Sequence, residues 1–356
     1  MHQINVKLGK RSYPIHVEHG LVGKVSKILN KDDFGQQWII VSQQKLMNLY
    51  GNKLTSDLNK VGFNCKSIII PDGEEAKNLF EFEKIIKKMI EFKCDRKTSL
   101  IALGGGVVGD VSGFVAASFL RGINYYQIPT TLLAMVDSAI GGKTGINTPA
   151  GKNLVGSVYQ PKAVLIDSNF LKSLPKKEVR SGLAEVIKYG AIRDIDFFNK
   201  VSLWLDNLST FPYDDAIAEC CVIKGNIVAE DEYEGGIRRL LNFGHTIGHA
   251  LEAQLGYGEI RHGEAISYGM QCAALISERM GFLHEDERLL LSSTIKKLFL
   301  PTLPKVDKNR LMKFLKVDKK WDNGRLHFVL LNQLGNAFLS TDITEQIIYE
   351  SLTELK

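Results

Sequence analysis

Two histidines four residues apart, His245 and His249, lie in the segment of this 356-residue chain whose residue types are best suited to chemistry. Arg238 and Asn242 precede them. Because residues three or four apart are neighbours on a helix, a helical segment would place all four side chains on one face. A guanidinium, an amide and two imidazoles are costly to bury in an apolar core. The pattern therefore predicts the wall of a site that binds a polar, anionic ligand and a metal ion.

A metal site around His245 needs further ligands. His262 follows in an Arg-His-Gly-Glu sequence, and Glu185 lies in an apolar helical stretch with Lys188 one turn later. Two histidines and a glutamate are a common catalytic zinc set that leaves positions open for water or substrate. Thr246 stands where a hydrolytic HExxH motif needs glutamate, and no P-C-x-x-C accompanies His262 as in the deaminases. By spacing alone, polar residues satisfied at a helix interface are an equally open alternative.

A glycine-rich loop at residues 104–110 follows an apolar run and precedes a helical stretch. Gly104, Gly106 and Gly109 fit the G-x-G-x-x-G spacing, in which the turn approaches a pyrophosphate at a helix N-terminus. A tight structural turn is the alternative. The acidic ribose partner expected about 20 residues later is missing, because that position falls near residues 129–131. The acidic turn at residues 72–75 is a candidate to bind the adenosine ribose instead.

A second glycine pair lies in residues 137–143, where Asp137, Ser138 and Lys143 flank Gly141 and Gly142. The end of this segment looks like a Walker A loop, but Asp137 occupies the position of the required glycine, so that interpretation fails. An acid, a hydroxyl and an amine beside two glycines favour contacts to polyol hydroxyls or to a nicotinamide ribose. The alternative is a solvated loop.

The elements that must position these residues change in character near Pro175. Before it, β-rich runs alternate with a helical stretch at 79–92, which predicts an α/β domain with a parallel sheet over residues 1–174. After it, helical periodicity predominates, which predicts a mainly helical domain over 175–356 with one short strand at 325–331. The predicted strands of the first domain are 36–41, 65–70, 99–103, 124–128 and 163–166. The predicted helices of the second are 178–192, 216–229, 246–255 and 265–280.

Composition limits the classes of protein. The chain is 44% hydrophobic and 24% charged, and its net charge of +5 suits an anionic small molecule but is too weak to indicate nucleic acid. The five cysteines are odd in number and show no CxxC spacing, so no disulfide framework or thiolate metal site is indicated. With no apolar run like that of a signal peptide or a membrane span, we expect a cytoplasmic enzyme or binding protein.

Taken together, these segments resemble the 3-dehydroquinate synthase family, and they do so in order over most of the chain. The matching pieces are 71–74, Lys77, the glycine loop, 129–131, 137–143, 151–153, 185–188, 224–226, 238–249 and 261–264. The resemblance implies a Rossmann-like α/β N-terminal domain that binds NAD, followed by a helical metal- and substrate-binding domain. It also implies the conversion of 3-deoxy-D-arabino-heptulosonate 7-phosphate to 3-dehydroquinate and phosphate in the shikimate pathway.

The resemblance also implies roles for individual residues. A zinc or cobalt ion would be held by Glu185, His245 and His262. Substrate contacts and catalysis would come from Asp137, Lys143, Asn153, Lys188, Lys224, Arg238, Asn242 and His249, with Lys319 or Lys320 also reaching the substrate. Arg121 would be donated across a homodimer interface to the substrate phosphate. NAD would be bound by Asp72, Gly73, Glu74, Glu75, Ala76, Lys77, Gly105, Gly106, Val107, Val108, Gly109, Asp110, Thr130, Thr131, Lys143 and Lys152, with Phe170, Leu171, Lys172 and Ser173 closing over it.

The implied chemistry is a transient oxidation by NAD⁺, elimination of phosphate, reduction, and closure of the ring by an intramolecular aldol reaction. Zinc would lower the pKa of the reacting alcohol, cationic side chains would neutralise the anionic groups, and His249 would shuttle a proton. Three rivals stay open: a polyol or glycerol dehydrogenase, another sugar phosphate cyclase that makes an inosose or valiolone, and a non-catalytic NAD-binding regulator. A cationic cluster argues against the dehydrogenase: Lys143, Lys152, Lys188, Lys224 and Arg238. Arg238, Asn242 and His249 together favour the carboxylate-bearing heptulosonate.

Overall fold

The computed structural model describes residues 1–29, 37–256, 258–317, 321–322 and 325–354. They form two compact units, the first from Met1–Val179 with Tyr213–Tyr233 and the second from Arg180–Pro212 with Glu234–Lys356. The chain thus returns to the first unit for one helix, which packs on the N-terminal strands. The predicted single boundary after residue 174 does not account for this return of the chain to the first unit. The division into two domains at that residue stays a prediction.

The first unit contains a sheet with strand order β1-β2-β9-β6-β5-β3-β4, and a separate hairpin of β7 with β8. The β1–β2 pair is antiparallel and the other neighbours in the sheet are parallel. Every residue of β5 is buried, as expected for a central strand covered on both faces. The strands are β1 (His2–Val6), β2 (Tyr13–Val17), β3 (Gln37–Gln43), β4 (Asn64–Ile70), β5 (Ser99–Gly104), β6 (Asn124–Pro129), β7 (Lys143–Thr148), β8 (Gly151–Val158) and β9 (Ala163–Ile166).

The helices of the first unit follow its strands, and those of the second unit form most of its core. They are α1 (Val25–Ile28), α2 (Gln44–Leu46), α3 (Asn52–Lys60), α4 (Leu79–Glu91), α5 (Gly106–Ser118), α6 (Lys176–Arg193), α7 (Ile195–Trp204), α8 (Tyr213–Glu230), α9 (His245–Leu255), α10 (His262–Arg279), α11 (Glu285–Lys296), α12 (Lys308–Val317) and α13 (Glu345–Leu352). Among the described residues, none of these helices has the length and apolarity needed to cross a membrane.

The second unit also contains short antiparallel hairpins beside its helices. They are formed by β10 (Trp321–Asp322) with β11 (Arg325–Leu326), and by β12 (Phe328–Gln333) with β13 (Asn336–Ser340). The predicted strand at 325–331 therefore corresponds to two separate strands. The predicted division into a parallel-sheet α/β part and a mainly helical part is confirmed.

The condition under which Arg238, Asn242, His245 and His249 would share one helical face is not met, because residues 238–249 do not form one continuous helix. Ile237–Asn242 is a 3-10 turn, and Gly244 adopts the left-handed conformation with φ +78° directly before α9 begins at His245. A Cβ at Gly244 would lie 2.6 Å from the Met270 side chain and 2.7 Å from the Ile266 carbonyl oxygen. The break therefore allows the start of α9 to approach α10, and this steric requirement is invisible in the helical spacing.

Candidate active site

Helices α6, α9 and α10 of the second unit bring Glu185, His245 and His262 together. One ligand atom from each of them lies within 4.8 Å of the others. The Oε1 atom of Glu185 is 3.1 Å from Nε2 of His262 and 3.4 Å from Nε2 of His245. Glu185 is fully buried, so its carboxylate is removed from water and is met by two imidazoles.

The convergence depends on a close approach between α6 and α10. A Cβ at Gly263, the residue after His262, would lie 2.1 Å from the backbone oxygen of Ser181 on α6. The Gly263 N–H donates to the Ser181 hydroxyl at 2.9 Å. Because Glu185 lies one turn after Ser181 on the same helix, this contact sets the distance between its carboxylate and the His262 ring.

The donor atoms fit a divalent metal such as zinc. The Nδ1 atom of His245 lies 3.1 Å from the Phe243 carbonyl oxygen, so Nδ1–H donates there and leaves the Nε2 lone pair facing Glu185. Two imidazole nitrogens and a carboxylate oxygen match a catalytic zinc set with room for further ligands.

Electrostatics at the cluster follow from burial and from the opposite charges nearby. Burial lowers the pKa of His245, and the ammonium of Lys188 acts in the same direction. Burial also lowers the pKa of His262, but Glu185 and Glu252 outweigh it and raise that pKa to about 10. Burial raises the pKa of Glu185, yet Lys188 and the two histidines hold it well below its usual value. The carboxylate is therefore ionised at neutral pH, as a metal ligand must be.

Cationic and polar side chains accompany the cluster in the second unit. Lys188 is 1% exposed and contacts the Glu185 carboxylate, and Arg238 is 2% exposed. Asn242 donates from Nδ2 to Oε1 of Glu234 at 3.0 Å. His249 is exposed, and its ring centroid lies 5.3 Å from that of His245.

Two acidic residues escaped the analysis of the sequence. Glu234 accepts a hydrogen bond from the Asn242 side chain. The backbone of Glu234 itself has φ +63°, a conformation that the sequence does not indicate. Glu252 lies two turns after His245 on α9, and a helical pattern of period seven could have identified it. With His249 and His262 it forms a second group whose ligand atoms lie within 4.8 Å of one another.

The glycine loop of the first unit joins β5 to α5. Gly105 immediately precedes α5, and no side chain caps the helix there. A Cβ at Gly105 would lie 3.1 Å from Thr131 and one at Gly106 would lie 3.0 Å from the Ser138 hydroxyl. Glycine at both positions therefore allows Thr131 and Ser138 to approach the loop, and the backbone N–H groups at the start of α5 are not taken by a capping side chain, as binding of a pyrophosphate there requires.

Other predicted members of the loop have structural roles. A Cβ at Gly109 would lie 2.8 Å from Oε1 of Gln127, so this glycine is needed for packing. Val108 is buried in the core, while Val107 packs at its edge. Thr130 donates from its backbone N–H to the carbonyl oxygen of Gly104 at 3.0 Å, which ties the end of β6 to the loop.

The acidic turn after β4 is attached to this loop by an ion pair. Glu74–Ala76 is a 3-10 turn, and Asp72, Gly73 and Glu75 around it are exposed. The buried ammonium of Lys77 contacts the carboxylate of Asp110 on α5. Burial raises the pKa of Asp110, and Lys77 acts against that shift.

Asp137 and Lys224 form a second ion pair in the first unit. The Nζ atom of Lys224 donates to Oδ1 of Asp137 at 2.5 Å and to its carbonyl oxygen at 2.7 Å. Lys224 lies on α8, which shows that the return of the chain to the first unit places a predicted substrate residue against Asp137. The structure thus brings together two residues that are 87 positions apart in the sequence.

The remaining predicted residues of the first unit lie in its loops and its hairpin. Lys143 is exposed and is the first residue of β7. Lys152 and Asn153 lie on β8, and the backbone of Asn153 has φ +54°. Arg121 lies in the turn that follows α5. Its side chain is exposed and its backbone φ is +68°. These positions leave their predicted roles untested.

The segment predicted to close over NAD is largely packed into the fold. The side chains of Phe170 and Leu171 are buried, and the Phe170 ring contacts Tyr50 edge to face at 4.6 Å. Lys172 and Ser173 are exposed, and the Ser173 hydroxyl accepts a hydrogen bond from the Tyr50 hydroxyl at 2.6 Å. The predicted substrate lysines at 319 and 320 lie outside the described residues.

Comparison with known proteins bears on this arrangement. A family model described as 3-dehydroquinate synthase N-terminal matches residues 67–181, and one described as 3-dehydroquinate synthase C-terminal matches residues 182–321. A 2-deoxy-scyllo-inosose synthase, solved with carbaglucose-6-phosphate, NAD⁺ and Co²⁺, is 28% identical over 100% of both chains with a TM-score of 0.90. ValA, a 2-epi-5-epi-valiolone synthase from Streptomyces hygroscopicus subsp. jinggangensis 5008 with NAD⁺ and Zn²⁺ bound, is 28% identical over 98% of each chain with a TM-score of 0.87.

A more distant similarity concerns the fold alone. A glycerol dehydrogenase from Schizosaccharomyces pombe is 18% identical over 96% of this chain and 88% of its own, with a TM-score of 0.65. The two family models are contiguous, and together they span residues 67–321, which is most of the chain. The chain belongs to the 3-dehydroquinate synthase family of sugar phosphate cyclases.

Proposed function

We propose that this protein is a 3-dehydroquinate synthase, which converts 3-deoxy-D-arabino-heptulosonate 7-phosphate to 3-dehydroquinate and phosphate. The observation that carries the proposal is the group of Glu185, His245 and His262, with the ammonium of Lys188 against the same carboxylate. That group suits a metal ion and an oxyanion side by side. The activity would belong to the shikimate pathway and to the synthesis of aromatic amino acids.

The residues present fit both cofactors of the proposal. The start of α5 and the Lys77–Asp110 pair would hold NAD, and Glu185, His245 and His262 would hold zinc or cobalt. When bound, NAD⁺ accepts a hydride from the substrate carbinol and returns it, and the metal ion polarises the oxygen of that carbinol.

The chain's own residues bind and orient the substrate and move its protons. The buried cations Lys188 and Arg238 offer charge-assisted hydrogen bonds to anionic oxygens, and their burial strengthens that attraction. His249 lies beside the two histidines of the metal group and is exposed, so its imidazole is placed to accept or donate a proton. Lys224 is held by Asp137 and adds a further donor.

We also propose a homodimer, in which Arg121 of each chain would reach the phosphate bound by the other. The proposal is supported by the resemblance and by the exposure of Arg121 in a turn with positive φ. A guanidinium presented in this way can form a bidentate contact with phosphate.

The competing substrates are those of other cyclases in the family. A heptulosonate carries a carboxylate as well as a phosphate, whereas glucose 6-phosphate, the sugar that carbaglucose-6-phosphate resembles, carries only the phosphate. A buried guanidinium at Arg238 and the amide of Asn242 suit a carboxylate, because both groups donate hydrogen bonds and a guanidinium can bind a carboxylate through two parallel N–H groups. These two donors favour the heptulosonate over a sugar phosphate that lacks a carboxylate.

The deciding experiment supplies NAD⁺ and Zn²⁺ with either the heptulosonate phosphate or glucose 6-phosphate and measures the release of phosphate and the absorbance of NADH. We expect phosphate release from the heptulosonate phosphate alone, with no net NADH. Release from glucose 6-phosphate alone would assign an inosose synthase activity instead. Steady accumulation of NADH with glycerol, without release of phosphate, would instead favour a polyol dehydrogenase.

A further inference from the structure

The two ring nitrogens of His262 face different carboxylates. Its Nε2 atom is 3.1 Å from Oε1 of Glu185, and its Nδ1 atom is 3.8 Å from Oε2 of Glu252. We propose that Glu252 is a positioning residue, which holds the His262 ring through Nδ1 so that Nε2 points at the metal ion. This inference rests on the metal site of the proposed function.

The geometry of α9 supports this role. His245 begins α9 and Glu252 follows after seven residues, which is about two turns, so both side chains lie on the face directed towards His262. Helix α9 would therefore supply the metal ligand His245 directly, and through Glu252 it would orient the second histidine ligand, His262, which lies on α10. The Glu252 side chain is 13% exposed, which makes its carboxylate a defined partner and not a solvated surface charge.

The chemistry of metal-bound histidine supplies the physical reason. An imidazole that binds a metal through one nitrogen carries its proton on the other, and a carboxylate that accepts that proton's hydrogen bond fixes the tautomer and makes the ring a better ligand. Such a partner matters at His262 because it is the first residue of α10, where the contacts of Arg261, Gly263 and Glu264 hold the backbone but do not fix the orientation of the imidazole ring. A shift of the ring by less than 1 Å would bring Nδ1 within hydrogen-bond distance of Glu252.

The alternative use of the same atoms is a second metal site, and the test below separates the two uses. His249, Glu252 and His262 also have ligand atoms within 4.8 Å of one another, which would suit a second metal ion. The two uses exclude each other, because Nδ1 of His262 cannot donate a proton to Glu252 and bind a metal at the same time. Two observations favour the positioning role of Glu252: His249 is exposed to solvent, and the Nδ1 atom of His262 points towards the Glu252 carboxylate.

The test measures Zn²⁺ affinity of the full-length protein after removal of metal, by competition with a chromophoric chelator. Glu252→Ala should weaken zinc binding about 10- to 100-fold, the usual effect of losing such a partner, while the affinity for NAD⁺ is unchanged. Glu252→Gln keeps the size and an acceptor oxygen and should give a smaller loss. Glu259→Gln removes the same charge from an exposed residue of the following loop and should bind zinc like the wild type.

Two results would overturn the inference. One is wild-type zinc affinity in both Glu252 variants. The other is two tightly bound zinc ions per wild-type chain and one in Glu252→Ala, since this would make Glu252 a ligand of a second ion. Failure of the metal site itself is distinguishable, because then the wild type would not bind zinc, or His245→Ala would bind it with unchanged affinity.

Discussion

Glu185 and Lys188 lie one turn apart on α6, and the ammonium of Lys188 contacts the carboxylate of Glu185 although both side chains are almost completely buried. Two charges removed from water in this way are costly unless they are paired. The pair keeps the Glu185 carboxylate ionised without a metal. Under the proposed function, Lys188 would also supply a cation for the anionic substrate.

We first predict that Lys188→Met destabilises the metal-free protein by about 3 kcal/mol, because it leaves the buried Glu185 carboxylate without its main partner. The value lies at the lower end of the usual range since His262 still faces Glu185 at 3.1 Å. Unfolding in urea at neutral pH, after removal of metal, measures the change. The double variant Glu185→Gln with Lys188→Met should recover part of the loss, since no charge is left unpaired.

An unchanged unfolding midpoint in Lys188→Met would contradict this prediction. It would mean that water or a rotamer change relieves the carboxylate. Addition of Zn²⁺ provides a further control, because the metal ion would replace the lost positive charge. The difference in stability between wild type and Lys188→Met should then shrink.

A second prediction separates metal binding from proton transfer. His245→Ala should lose stoichiometric zinc and activity, while NAD⁺ affinity stays within about twofold, because the glycine loop is part of the other compact unit. His249→Ala should keep its zinc and lose about 10²- to 10⁴-fold in kcat, as expected for removal of a general acid or base. Metal analysis after dialysis and a titration with NAD⁺ measure these effects. Equal loss of zinc in both variants would show that His249 is a ligand.

The sequence predicted the residue types of the site but not how helices bring them together. Glu185, His245 and His262 could be singled out because charged and imidazole side chains in apolar helical stretches need partners. The strands at 99–103 and 163–166 were recognisable because buried parallel strands are nearly continuous apolar runs, and the strand at 124–128 was recognisable from its two tyrosines and its isoleucine. These features depend on local composition alone.

What the sequence could not provide depends on long-range packing. The break at Gly244 follows from the approach of α10, which has no local signature. The pairing of Asp137 with Lys224 requires α8 to return to the first unit. The hairpin of β7 with β8 was missed because its residues are partly exposed and rich in glycine, so that no apolar run marks it.

The third prediction concerns the reactivity of the cysteines and its dependence on pH. Burial raises the pKa of Cys65, Cys221 and Cys272 to about 12. At pH 8 the reactive thiolate would then be only about 10⁻⁴ of each thiol, against roughly a quarter for a free cysteine. Their alkylation by iodoacetamide should be slow and should rise about tenfold per pH unit as long as the fold persists.

Mass spectrometry of the native protein after short alkylation checks this order. Cys94 is partly exposed, so it should be modified before the buried Cys65, Cys221 and Cys272. The same reaction in concentrated urea is the control, in which all five cysteines should be modified at similar rates. Modification of Cys221 in the native protein as fast as that of a free thiol would contradict the prediction.

The last prediction tests the contact that brings α6 and α10 together. In Gly263→Ala the new methyl group would lie 2.1 Å from the backbone oxygen of Ser181 and 2.4 Å from its Cα atom, and backbone atoms cannot move away as a flexible side chain can. We expect a loss of about 1–3 kcal/mol in stability from overpacking, together with weaker zinc binding, because the separation of the helices moves His262 away from Glu185. Gly235→Ala is the matched control, since a Cβ there meets nothing within 4 Å. Thermal unfolding and chelator competition measure both effects. Wild-type stability with wild-type zinc affinity in Gly263→Ala would show that the spacing of α6 and α10 does not depend on this glycine.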